Sequence, residues 1–407
     1  MPWPEKSPID KILDSQYQMD VNGRVCTIRD LYTTFSPNVD LEALKDSEFF
    51  FALHDMMEVV LGLPDEHAPE VSAYWAKRGM VKEYHGADKP MSWTEYEAKT
   101  GYRWEADKYK LQQNYAKLWT SFVPMSAFRP ENAGRKYPVV FALHGGQNGT
   151  FLLEGWGFVQ EAAKREWIVI IPSLELDDIL EEILNDAKAL YPVDESRVYV
   201  TGFSYGGWAS NRLGNQRPDL FAAVAPCAMS MDNSKSEGSS DDIEPVPPFD
   251  GISRAAQKGV HMPIINIYGD KDGERFPFFD FKAEPFGIVS FSEPKDLVDG
   301  LNHWLRTNDA EELSLDAVMA LKGRDDLIEA ERAMGIPRKA AQFDSFTADG
   351  VRFHVAGFPS RDGVVRVKLI DEVNIPHWPT PEMVRQIFEF FSHFSRDTET
   401  LESIYHE

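Results

Sequence analysis

The feature that most narrows the fold is a series of short, almost wholly apolar runs: "YPVVFALHG" from Tyr137, "WIVIIPSL" from Trp167, "SRVYVTG" from Ser196, "FAAVAPCAM" from Phe221 and "MPIINIYG" from Met262. A strand with one face in solvent alternates polar and apolar residues, whereas an unbroken run rich in Val and Ile is covered on both faces. Helix-compatible segments separate the early runs, near Glu154 to Arg165, Asp177 to Leu190 and Gly206 to Arg217. This alternation predicts a mostly parallel sheet with helices packed on both sides. A late pair of strands is expected at "VRFHVAGF" and "VVRVKLIDEV".

The flanks read differently. Residues 1–115 lean towards helix, notably "LEALKDSEFFFALHDMMEVVLGLP" from Leu41 and "SWTEYEAKTGYRWEADKYKLQQNYAKLW" from Ser92, so they are expected to form an N-terminal extension before a catalytic domain at 116–407. Residues 231–251, rich in Ser, Gly, Asp and Pro, predict a surface loop after a strand. Residues 276 to about 348 break the alternation with an aromatic-rich loop and helix-like runs such as "DLVDGLNHWL" and "DLIEAERAMG", as an insertion or cap would.

Composition removes several function classes. A formal charge of −24 disfavours nucleic acid, whose phosphates require clustered Lys and Arg. Two cysteines, Cys26 and Cys227, supply neither a disulfide framework nor a metal cluster. No apolar run reaches the roughly 18 residues of a membrane span, and the opening "MPWPEKSPIDKILDSQ" has no export-signal pattern, so a cytoplasmic, soluble protein is expected.

The chemistry centres on "VYVTGFSYGGWAS", Val198 to Ser210. Gly202-Phe203-Ser204-Tyr205-Gly206 fits G-x-S-x-G between a strand and a helix, where the glycines permit a sharp turn that pushes the serine out at the carboxyl edge of the sheet. A serine hydroxyl becomes a nucleophile only when a base takes its proton, so a histidine, an orienting acid and oxyanion donors are required. The strand ending in His144-Gly145-Gly146 offers the donors. The N–H of Tyr205 is assigned to the oxyanion hole together with one from Gly145, Gly146 or Gln147, Gly146 being preferred. The acid is expected in Gly269-Asp270-Lys271-Asp272, with Asp272 favoured and Asp270 as the competitor that would cap the turn.

Among ten histidines, His377 has the best context: a Pro-flanked loop between a strand and the last amphipathic helix, "VVRVKLIDEVNIPHWPTPEMVRQIFEFFSHF". His54, His303 and His393 fall in helical patterns, His354 in a strand, His406 in the tail, and His67, His85 and His261 in loops or at strand starts.

These segments, with "RPDLFAAVAPCA", resemble the α/β-hydrolase family, in particular esterases similar to polyhydroxybutyrate depolymerases, feruloyl esterases and dienelactone hydrolases. The resemblance covers roughly residues 117–275 and 349–396, in the order serine, acid, histidine. It implies an α/β-hydrolase fold, a Ser204, Asp272, His377 triad, and ester hydrolysis through an acyl-enzyme with no metal or organic cofactor. A small soluble ester is the expected substrate. Phe276, Phe278, Phe279, Phe281, Phe286 and Trp304 are candidates either to line its pocket or to form the insertion's own core, and Trp156 and Trp208 are read as packing residues.

Overall fold

A computed structural model describes residues 16–18, 25–27, 69–86, 119–145, 153–154, 156–172, 177–229, 231, 252–272, 276–280, 293–375, 377 and 379–407. In chain order, a small antiparallel pair, β1 (Gln16–Gln18) and β2 (Val25–Thr27), precedes α1 (Pro69–Lys77) and β3 (Met80–His85). Then come β4 (Trp119–Pro124), β5 (Tyr137–Leu143), α2 (Phe158–Arg165), β6 (Ile168–Pro172), α3 (Asp177–Leu190), β7 (Val193–Phe203), α4 (Tyr205–Gln216) and β8 (Ala223–Cys227). The chain continues through α5 (Arg254–Lys258), β9 (Ile264–Gly269), α6 (Pro294–Thr307), α7 (Leu315–Met319), α8 (Glu329–Met334), β10 (Gln342–Ala348), β11 (Val351–Pro359) and β12 (Val365–Glu372). It ends with α9 (Pro381–Ser392), β13 (Phe394–Arg396) and β14 (Ser403–Tyr405).

Ten of these strands form one sheet in the order β10-β11-β12-β9-β8-β7-β5-β6-β4-β3. From β12 to β6 every pairing is parallel, while β4 and β3 on one flank and β11 and β10 on the other are antiparallel. Alternate residues of the apolar runs feed two separate cores. Val140 and Ala142 of β5 pack with α2 and α9 on one face. Val139, Phe141 and Leu143 pack with α3, α4 and α6 on the other.

The order of the central strands places the site. From β5 the chain winds outwards to β6, then crosses back so that β7 lies on the opposite side of β5. The helix after β5 is therefore on one face and the helix after β7 on the other, which opens a crevice at the carboxyl ends of these strands. His144 and Ser204 sit at those two ends.

Two features of the sheet were not foreseen in the sequence. First, the sheet crosses the boundary expected near residue 115, because β3 pairs along its whole length with β4. Lys82 of β3 also forms a buried ion pair with Glu154 at 2.6 Å, and Trp75 Nε1 of α1 donates to the other oxygen of Glu154 at 2.8 Å. The two long helical patterns expected from Leu41 and Ser92 lie outside the described residues, as does the loop 232–251. Second, the segment 276–348 is not only loop and helix, since it ends in β10, which pairs with the expected strand β11 at the edge of the sheet. Its first helix is docked on α4: a Cβ on Gly214 would meet the Trp304 ring at 3.2 Å, and His303 Nε2 donates to Asn215 Oδ1 at 2.6 Å. Burial lowers the His303 pKa to about 4, so the ring is neutral at physiological pH. Phe276, Phe278 and Trp304 are buried in that core, whereas Phe281 and Phe286 lie outside the described residues.

Candidate active site

Ser204 is the residue between β7 and α4, with φ 56° and ψ −117°. A non-glycine residue held at positive φ costs about 1–3 kcal/mol, so its neighbours must over-determine it. They do. The Ser204 amide donates to the Cys227 carbonyl at 3.0 Å, and its carbonyl accepts from Trp208 at 2.9 Å. A Cβ on Gly202 would lie 2.3 Å from the Gly206 carbonyl oxygen, and one on Gly206 would lie 2.3 Å from that of Leu143. Only glycine allows the turn to close on itself and seats it against the end of β5. Ser204 occupies the N-cap position of α4, yet its side chain makes no capping hydrogen bond.

Chain path separates the two aspartates. Asp272 is 4% exposed and its two oxygens accept from His377 Nδ1 at 2.9 and 3.0 Å. An ionised carboxylate only accepts, which assigns the proton to Nδ1 and leaves Nε2 as the basic nitrogen. Asp270 is turned elsewhere: its Oδ1 accepts the backbone N–H of Asn374 at 2.6 Å. Burial raises the Asp270 pKa in spite of the adjacent Lys271 ammonium.

His377 lies in the segment from β12 to α9. Its ring centroid is 4.7 Å from that of Phe203, the residue immediately before Ser204. The structure thus joins Asp272 to His377 directly and brings the imidazole against the elbow through Phe203. The first part of the histidine loop is tied to the acid turn, with Lys271 N–H donating to the Ile375 carbonyl at 3.0 Å. Thr380 closes the loop as N-cap of α9, accepting from Met383 N at 2.9 Å.

Of the residues expected to supply oxyanion donors, Tyr205 is the first residue of α4. Gly146 and Gln147 lie outside the described residues. Gly145 is buried, and its carbonyl is 2.8 Å from His144 Nδ1. Trp156 is buried, and Trp208 is half-buried beside Tyr205 with ring centroids 5.9 Å apart. Of the other described histidines, His85 is at the end of β3 rather than in a loop, and His354 is buried within β11.

One group escaped sequence reasoning. Glu372, the last residue of β12, is 1% exposed and accepts a hydrogen bond from the Thr380 hydroxyl. Burial, helped by the nearby charges of Glu382 and Asp272, pushes its pKa up to about 8. In the sequence it reads only as the polar end of a strand.

The strand order and the glycine-bound turn after β7 give the α/β-hydrolase fold that the resemblance implied. Residues 173–251, which include the serine turn, match the prolyl oligopeptidase family. A stretch of 133 residues is 31% identical to NocK of Nocardia uniformis subsp. tsuyamanensis, a protein designated an esterase, and covers 32% of each chain. Another of 121 residues is 29% identical to poly(3-hydroxyalkanoate) depolymerase C of Paucimonas lemoignei, covering 24% of this chain and 28% of that one. The chain therefore spans about a third or less of the length of these relatives. Among solved structures, acetyl xylan esterase from Aspergillus awamori aligns over 68% of this chain and 93% of its own, at 14% identity and a TM-score of 0.38.

Proposed function

We propose that the protein is a serine hydrolase that cleaves carboxylic esters of small soluble substrates through Ser204, His377 and Asp272. The observation that carries this reading is the Asp272–His377 pair, whose ring lies against the residue preceding a strained, uncapped serine. His377 Nε2 takes the Ser204 proton as the hydroxyl oxygen attacks the ester carbonyl, and Asp272 stabilises the imidazolium that forms. The oxyanion is met by the Tyr205 N–H and by one from residues 145–147, with Gly146 preferred. The tetrahedral intermediate collapses, the C–O bond to the alcohol breaks, and the departing oxygen takes the proton from His377. Water then repeats the sequence on the acyl-serine, which releases the acid and restores the hydroxyl. These steps call for no metal or organic cofactor. The strongly acidic composition supports an enzyme acting on small molecules rather than on nucleic acid.

The test is a panel of nitrophenyl esters of increasing chain length, run with aryl esters and a peptide nitroanilide, plus labelling by a fluorophosphonate. Esters are expected to turn over and the probe to label wild type but not Ser204→Ala. Labelling of the alanine variant would end the assignment of the nucleophile. A second reading, peptide bond cleavage, is favoured by the match of residues 173–251 to the prolyl oligopeptidase family. Turnover of the nitroanilide alone would select it.

A further inference from the structure

The histidine loop is held by a device that the mechanism above does not use. Residues 373–379 run from the end of β12 to the Thr380 cap of α9, with His377 between. Among the described residues, the base of this loop is bridged by the Thr380 hydroxyl, which donates to the Glu372 carboxyl. Thr380 simultaneously accepts from Met383, so carboxyl, hydroxyl and helix N-terminus form one chain. Glu372 is closed off from solvent, and the groups facing it are acidic or neutral. They are Asp272 at the end of β9, Asp371 on its own strand, Glu382 on α9 and the Cys227 thiol of β8. Glu382 already has its own partners, Arg385 at 3.0 Å and Gln386 at 2.7 Å.

We propose that Glu372 is a positioning residue for His377, which staples the ends of the histidine loop and does so only as the neutral carboxylic acid. This rests on the triad reading. An ionised carboxylate here would be a buried, uncompensated charge beside Asp272 and Glu382, and the loop would have to open to hydrate it. Opening moves His377 away from the elbow. The neutral acid keeps the staple and leaves Asp272 as the one charge acting on the ring. Activity is thereby lost on the alkaline side by titration of a group that never touches substrate.

The deciding measurement is the pH profile of kcat and KM on a nitrophenyl ester for wild type, Glu372→Gln and Glu372→Ala, with active sites counted by fluorophosphonate labelling. An amide keeps the hydrogen bond and cannot ionise. With a group that titrates at about 8, wild-type kcat should fall about tenfold by pH 9. The glutamine variant should match wild type within about threefold at pH 7 and fall less than twofold by pH 9. The alanine variant should lose about tenfold or more in kcat per labelled site with KM little changed. A glutamine variant with the wild-type alkaline fall, or an alanine variant with wild-type kcat, overturns the proposal. If the alanine variant does not fold, the glutamine profile decides alone. Failure of the triad itself is separate, since wild type would then not be labelled at Ser204.

Discussion

Replacing Lys82 with methionine keeps the aliphatic stem and removes the charge that answers Glu154. Both side chains are within 3% of full burial, at 1% and 3% exposure, and the ammonium also lies 4.9 Å from the Tyr84 ring centroid and 5.5 Å from that of Phe122. An uncompensated buried carboxylate costs about 3–5 kcal/mol, but Glu154 has an escape, which is to take up a proton. From the ordinary value of 4.5, holding the carboxyl protonated at pH 7 costs about 3.4 kcal/mol, and at pH 5.5 only about 1.4 kcal/mol. Burial already raises the Glu154 pKa in the native protein, with Lys82 opposing it. In the variant this opposition is gone. The stability that Glu154 then contributes is complete below its unfolded pKa and is lost as pH rises. Urea unfolding of Lys82→Met should therefore show a deficit near 3 kcal/mol at pH 7 that shrinks by about 2 kcal/mol at pH 5.5. The double variant with Glu154→Gln should recover most of the loss at pH 7. A deficit independent of pH, or a double variant no better than the single one, would refute this account of the pair.

Three further substitutions bear on the site itself. Asp272→Asn should lower kcat about 10⁴-fold, because the wrong tautomer of His377 is favoured, while Asp270→Asn should cost less than about tenfold; ester kinetics that showed the reverse order would transfer the acid role to Asp270. Gly206→Ala forces a methyl to within 2.3 Å of the Leu143 carbonyl oxygen. Overpacking of this kind costs about 1–3 kcal/mol, and thermal unfolding together with a slower fluorophosphonate labelling rate would register both the strain and the displaced elbow.

Much of the fold was legible because the central strands are buried on both faces, and "VVFAL", "IVII" and "IINIY" leave no other economical arrangement. Edge strands escaped notice. β3, "MVKEYH", carries Lys82 and Glu83, which read as solvent-facing until Glu154 and Tyr191 supply partners from distant parts of the chain. β10 alternates weakly and is half-exposed, so nothing separated it from the helical runs before it. The nucleophile turn was readable since close backbone approach leaves a glycine signature. The choice between Asp270 and Asp272 was not settled by residue type, because both occupy one turn and only the path of residues 373–377 determines which meets the ring. Glu372 was invisible for a related reason: its meaning comes from a hydroxyl eight positions later and from the exclusion of water by α9.

The hairpin of β10 and β11 carries a consequence for how this enzyme could diversify. By capping β12, it turns the strand that delivers His377 from a border of the sheet into an interior member. The elaboration between Asp272 and His377 is thus part of the backbone that registers one against the other, not a detachable cover. Under the proposed function, a graft of the corresponding stretch from a relative would transplant the placement of His377 along with any new specificity, so that catalytic competence and substrate preference would be inherited as a single block.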